Sequence, residues 1–320
     1  MKENVLTRWF RPERWLPKDM TYSLRGLCIL VILMGHASSS STDPMLETAA
    51  WQAFADASCY WKWGTWCVGV FFVLSGYGMT LSLERQKRMT WGYVGRKMWR
   101  LFEPFLVFWV VFLIVFLLMD RERLTWELGY EFLMLRMPLG IDAWFFKAIL
   151  GLYVLLLILY ALPMSNLTRA AVVTVACMVY YVVMRSLCFG PWWFNTIMSF
   201  PLGVFLALRR DWFVRYPWWL LAATAVMVAM YCVFPTVGFV APLLFTLVVL
   251  IVVWLFPFNN RLLHFIGVNS LFFYLLEEPV YNYLVYPLNE HLPLYVIATW
   301  VLTGLLTWGW LWVKEKVTSR

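Results

Sequence analysis

Apolar runs of about 17 to 22 residues recur from residue 22 to residue 313, and they constrain this chain more than any other feature. A helix of that length crosses the roughly 30 Å hydrocarbon core of a bilayer. Strand-length alternation of apolar and polar residues is absent, which argues against a membrane barrel. The 320 residues are 62% hydrophobic and 14% charged, with a mean hydropathy of +0.71, too apolar for a soluble globule of this size. The expectation is an all-α, polytopic integral membrane bundle.

Ten spans are expected, near 22–41, 63–83, 101–119, 143–162, 170–184, 193–208, 217–234, 238–256, 268–287 and 293–313. The fifth and sixth are short for a crossing. Many of the 21 Trp, 16 Tyr and 25 Phe fall near span ends, where amphipathic rings favour the headgroup zone. Residues 124–138, "LTWELGYEFLMLRMP", read as an amphipathic surface helix. With an even number of spans and both termini in the cytoplasm, 20 of the 26 Lys and Arg fall on the inner side, as basic residues do. Anionic lipid headgroups then account for the net charge of +8, and no nucleic acid is needed. A single integral domain is expected over 1–320, with a cytoplasmic interfacial segment at 1–21, the bundle at 22–313 and a cytoplasmic tail at 314–320. The first 20 residues are polar and basic and do not resemble a cleavable signal. Of six cysteines, Cys59 and Cys188 fall on the expected outer side, where a bridge is permitted but not indicated by spacing.

Polar residues inside the spans carry the functional information. In "SLRGLCILVILMGH", the 11 steps from Arg25 to His36 turn a helix only some 20° past three full turns and climb about 16 Å. Both side chains therefore share a face, Arg25 at the cytoplasmic mouth and His36 in the outer half. Titratable groups in a membrane usually face a bundle interior or an aqueous cavity, although snorkelling for Arg25 and an interfacial role for His36 are the plain alternatives. The connection "ERQKRMTWGYVGRKMWRLFEP" adds Arg96, Lys97 and Arg100 at the start of the third span, with Glu103 three residues beyond Arg100 and spaced to pair with it. Positive-inside topology explains such a cluster; a phosphate-bearing donor would also suit it, because arginine forks match phosphate oxygens.

Three of these motifs, in order and correctly spaced, resemble the acyltransferase 3 family of membrane acyltransferases: Arg, ten residues, His in "SLRGLCILVILMGH"; the phenylalanines before Ser75 and Gly76 in "GVFFVLSGYGMTLS"; and the basic opening "GRKMWRLFEPF". "AWFFKAILGLYVLLLILYALP", "FPLGVFLALRR" and "IGVNSLFFYLLEEPVY" resemble later patterns, so the likeness covers about 22–285. Two positions depart from the family. Its usual Arg-x-x-Arg reads Lys97-x-x-Arg100 here, and Glu277 stands where many members carry His.

The resemblance implies transfer of an acyl group, usually acetyl, from cytoplasmic acyl-CoA to a hydroxyl on the far side of a cell membrane. Acyl-CoA is then the donor, held at Arg25, Arg96, Lys97 and Arg100, and no metal is implied. His36 is the catalytic candidate, as general base or as an acylated nucleophile. Ser75, Tyr77 or Ser38 can supply a donor to the oxyanion, while Ser75 and Gly76 equally suit close helix packing. Glu277 and Glu278 can bind acceptor hydroxyls, stabilise charge developing at His36, or pair with inner basic residues. The acceptor is expected to be a glycan or lipid-linked sugar, with a peptidoglycan precursor or a small molecule as alternatives, and membrane lipids as surroundings. Oligomeric state is not legible. Two other classes compete: a secondary transporter with Glu277, Glu278 and His36 as a proton relay, disfavoured by the absence of repeat halves, and a non-catalytic membrane sensor or scaffold.

Overall fold

A computed structural model describes residues 16–86, 90–138, 143–216 and 218–319. It is 83% helical, with no strand among the described residues. Most of the interfacial segment expected at 1–21 lies outside them. The helices are α1 (Lys18–Ser40), α2 (Ala49–Ser58), α3 (Trp63–Glu84), α4 (Trp91–Met119), α5 (Glu127–Leu133), α6 (Trp144–Ala161), α7 (Asn166–Ser186), α8 (Ser199–Leu208), α9 (Arg210–Arg215), α10 (Trp218–Val233), α11 (Val240–Leu255), α12 (Arg261–Val268), α13 (Ser270–Pro279) and α14 (Leu292–Thr318).

Among the described residues, six helices, α1, α3, α4, α6, α7 and α14, are long and apolar enough to cross a membrane, α3 counting from its leading turn at Tyr60. Shorter apolar helices α8, α10 and α11 fall where three further spans are expected. The segment 268–287 is not one continuous α-helix: α13 ends at Pro279 and continues as a π-helical turn, Val280–Leu284. The sequence 124–138 yields only the seven-residue α5, because Leu135 takes a positive φ of 52° and stops it. Its two faces still differ: Leu133 and Tyr130 are exposed, while Phe132 packs on Phe105 and Trp109 at 5.9 and 5.5 Å. Side-chain caps set other ends: the hydroxyl of Ser165 accepts from Thr168 N–H at 3.1 Å to start α7, and that of Thr48 accepts from Trp51 N–H at 3.2 Å to start α2. All six cysteines are free; Cys59 and Cys188 instead each take a left-handed backbone conformation just past a helix end.

The chain divides into two compact units. The first comprises residues 1–28, 65–91 and 149–265. Two of its helices, α3 and α8, touch closely: a Cβ on Gly76 would strike the carbonyl of Phe200 and one on Gly203 the carbonyl of Val73. Small residues let the two backbones touch, the usual solution where lipid gives no hydrophobic drive to helix association. Gly69 serves the same purpose against Thr246 and Ser199.

The second unit comprises residues 29–64, 92–148 and 266–320. An aromatic column along α4, Phe105, Phe108, Phe112 and Phe116, continues to Phe146 and Tyr283, with Phe105 stacked on Phe146 at 4.9 Å. Buried Glu103 gives both carboxylate oxygens to Lys314 Nζ, at 2.6 and 2.7 Å, and accepts Trp310 Nε1–H at 3.1 Å. The spacing that suggested an Arg100–Glu103 pair therefore misleads: Arg100 stays on the exposed side of α4, and Glu103 is satisfied from α14.

Gly203→Val should be destabilising by about 1–3 kcal/mol, because the added carbons meet backbone that cannot move aside. Gly78→Ala, facing open space, should leave the thermal midpoint in detergent unchanged or slightly higher. A Gly203→Val protein melting with the wild type would contradict this packing.

Candidate active site

α1 is one unbroken helix, so it keeps the shared face of Arg25 and His36 that the residue count implies. Leu24, Cys28, Ile29, Ile32, Leu33 and Ala37 are buried along it. His36 lies one turn before its end with the imidazole 44% exposed. The ring is anchored yet reachable.

α13 supplies the partner. Its apolar positions Phe272, Phe273, Leu275 and Leu276 are buried, and Glu277 and Glu278 follow at the point where Pro279 interrupts the helix. Proline removes a backbone donor and crowds the preceding turn, and the chain answers with the π-helical turn 280–284. Such turns re-aim side chains.

Glu277 Oε1 lies 2.7 Å from His36 Nδ1. Glu277 is only 1% exposed, so this is a buried carboxylate gripping an accessible imidazole. When Glu277 is ionised it can only accept, which puts the shared proton on His36 Nδ1 and leaves Nε2 outside this contact. Carboxylate to one nitrogen, chemistry at the other, is the arrangement that makes histidine an oriented base. Tyr274 flanks the ring at 6.5 Å between centroids and packs in turn on Phe145 at 5.5 Å.

Glu278 serves differently. Its oxygens accept from Tyr281 O–H at 2.6 Å and Asn282 Nδ2–H at 2.8 Å, so it is fully held by its own chain segment. Glu277 Oε2, by contrast, is buried with no hydrogen-bond partner among the described residues. One carboxylate is structural; the other is committed to the histidine and retains capacity.

Of the remaining candidates, Arg96, Lys97 and Arg100 lie in the first turns of α4, with Arg96 and Arg100 exposed and Lys97 over the Tyr93 ring at 5.5 Å. Glu103 is occupied by Lys314, so it does not neutralise them. Arg25 belongs to the first unit, and its Nε is buried without a hydrogen-bond partner among the described residues. Ser75 and Tyr77 also belong to that unit, both buried on α3 beside the Gly76 contact. Ser38 donates to the Met34 carbonyl and bonds Tyr60 Oη, both at 2.7 Å. Among the described residues, no three of His, Cys, Asp and Glu gather as a metal-binding group.

Sequence reasoning left Glu277 with three roles; the structure puts its carboxylate in contact with His36. Tyr281 and Asn282 were missed as parts of the site. The signal available was the density of polar atoms around Pro279 in "YLLEEPVYN", high for an apolar run.

No curated protein and no solved structure matches the chain. The acyltransferase 3 family model, described as an acyltransferase domain, matches residues 23–313. That match contains α1 with its Arg25–His36 stripe, the basic opening of α4 and the α13 carboxylates. The chain belongs to the acyltransferase 3 family and is a membrane acyltransferase.

Proposed function

We propose that the protein moves an acetyl group from cytoplasmic acetyl-CoA to a hydroxyl of an extracytoplasmic glycan or lipid-linked sugar, at a cell membrane, with ten spans and both termini inside. The observation that carries this reading is the 2.7 Å hydrogen bond from His36 Nδ1 to buried Glu277. His36 Nε2 takes the proton of the acceptor hydroxyl as that oxygen attacks the thioester carbonyl. The tetrahedral intermediate then collapses, the carbon–sulfur bond breaks, and the departing CoA sulfur receives the proton from the imidazolium. Glu277 stabilises the imidazolium in between.

Arg25 and the turn bearing Arg96, Lys97 and Arg100 are the donor-binding candidates. Arg25 Nε, buried with no hydrogen-bond partner among the described residues, favours an anion there, since a buried guanidinium N–H without an acceptor is costly. Phosphates at Arg25 leave about 16 Å of α1 to His36, a distance suited to the extended pantetheine arm. Ser75 and Tyr77 remain candidates for the oxyanion. Family membership favours transfer over the proton-relay transporter.

In sealed vesicles of known orientation, radiolabelled acetyl-CoA should support transfer to a panel of glycan acceptors only from the cytoplasmic face, and impermeant acceptors should work only from the other. His36→Ala should lower that transfer about 10² to 10⁴-fold while acetyl-CoA still binds. Retention of more than half the activity would remove His36 from catalysis. Donor and acceptor working from the same face would refute the transmembrane route.

Arg25→Ala should weaken acetyl-CoA binding more than Arg25→Lys, which keeps charge and loses the fork. Equal affinity in wild type and both variants, measured by calorimetry, would return Arg25 to a topological role.

A further inference from the structure

His36 sits only four residues before the end of α1, in the turn where helices fray because their last carbonyls lack partners. The chain just beyond is nonetheless fastened. Ser41 Oγ–H and Thr42 N–H both donate to the Asn289 carbonyl, at 2.6 and 3.0 Å. Asp43 accepts the Leu292 N–H at 2.7 Å on one carboxylate oxygen and the Met45 N–H at 2.8 Å on the other.

Leu292 opens α14, whose own N-cap residue, His291, makes no side-chain capping bond. Asp43 therefore caps α14 from a distant segment, with its negative charge at the positive end of the helix. These two N–H donors, Leu292 foremost, hold the Asp43 carboxyl below the usual carboxylate range, and nearby His291 adds to the effect.

From α14 the connections lead back to the site. Tyr295, fully buried, donates its hydroxyl to the Tyr281 carbonyl at 2.7 Å. Tyr281 donates its own hydroxyl to Glu278 at 2.6 Å, and Glu278 adjoins Glu277, which holds His36. Ala37, Val280, Tyr281, Val285, Leu292, Tyr295 and Val296 form one buried apolar cluster inside this ring of contacts. Trp300 Nε1–H adds a strut from α14 to the Leu30 carbonyl of α1 at 3.2 Å. All of these groups lie in the second unit.

We infer that Asp43 and Tyr295 are positioning residues: they close a circuit of hydrogen bonds that fixes the end of α1 against α13 and so sets the register of His36 on Glu277. This inference rests on the acyl-transfer reading of His36. Neither residue touches substrate. Their effect reaches the chemistry only through the imidazole, so it should appear in turnover and not in donor binding.

The test measures transfer from radiolabelled acetyl-CoA to the glycan panel, acetyl-CoA affinity and thermal midpoint for each variant in detergent. Asp43→Ala and Tyr295→Phe, which loses only a hydroxyl, should each lower kcat about 10-fold or more with acetyl-CoA affinity unchanged. Asp43→Asn, which retains an acceptor oxygen, should recover part of that loss. In a His36→Ala background the Asp43→Ala change should add nothing, because the circuit then has no imidazole to aim. Wild-type kcat within twofold in both Asp43→Ala and Tyr295→Phe would overturn the inference. Parallel loss of kcat, donor affinity and folded protein in both would also overturn it, leaving a structural clasp only. Full activity in His36→Ala would instead overturn the acyl-transfer reading of His36, and the positioning role with it; a dead His36→Ala beside active circuit variants sinks the circuit alone.

Discussion

A carboxylate buried in an apolar helical segment must find a partner, and Glu277 finds it in His36. Leaving an ionised carboxylate without one would cost several kcal/mol. Joining α1 to α13 across 241 residues of sequence therefore does two things. It makes Glu277 tolerable inside the unit and fixes which imidazole nitrogen is free. In the proposed mechanism the site's chemistry and its local stability share this one hydrogen bond.

The surrounding backbone is arranged to let that contact form. α13 cannot continue as a regular helix through Pro279, and the π-helical turn keeps Tyr281 and Asn282 close enough to satisfy Glu278. If Glu278 were not held by its own segment, two adjacent carboxylates would compete for one histidine. With Glu278 satisfied, Glu277 alone faces the ring. A similar division of labour operates on α4, where Lys314 takes Glu103 and leaves the charges of Arg96, Lys97 and Arg100 uncompensated by it. In the proposed reading, that basic turn is offered to the phosphates of the donor.

Much of this was legible in the sequence because the governing rules are local. Apolar run length foretold the long helices, and the 100° step per residue placed Arg25 and His36 on one face of α1. What failed to be legible depended on distant partners. The i, i+3 spacing of Arg100 and Glu103 was a sound local argument, yet Lys314, 211 residues away, won the contact. Glu277 looked ambiguous for the same reason: nothing near it in sequence identifies His36. Residues 268–287 read as one span because hydropathy averages over Pro279, whereas the backbone responds to that single residue. The clasp between Asp43 and Leu292 had no sequence signal, since a carboxylate that caps a helix from 249 residues away obeys no spacing rule.

The central claim is that Glu277 commits His36 Nδ1 and leaves Nε2 to react. Only three histidines are present, so nitrogen-15 spectra of histidine-labelled protein are assignable by comparison with His36→Ala. Across pH, His36 Nδ1 is expected to remain protonated while Nε2 is the nitrogen that gains and loses its proton, and Glu277→Gln should remove that preference. A His36 ring with a proton fixed on Nε2 and a bare Nδ1 in the wild-type protein would contradict it.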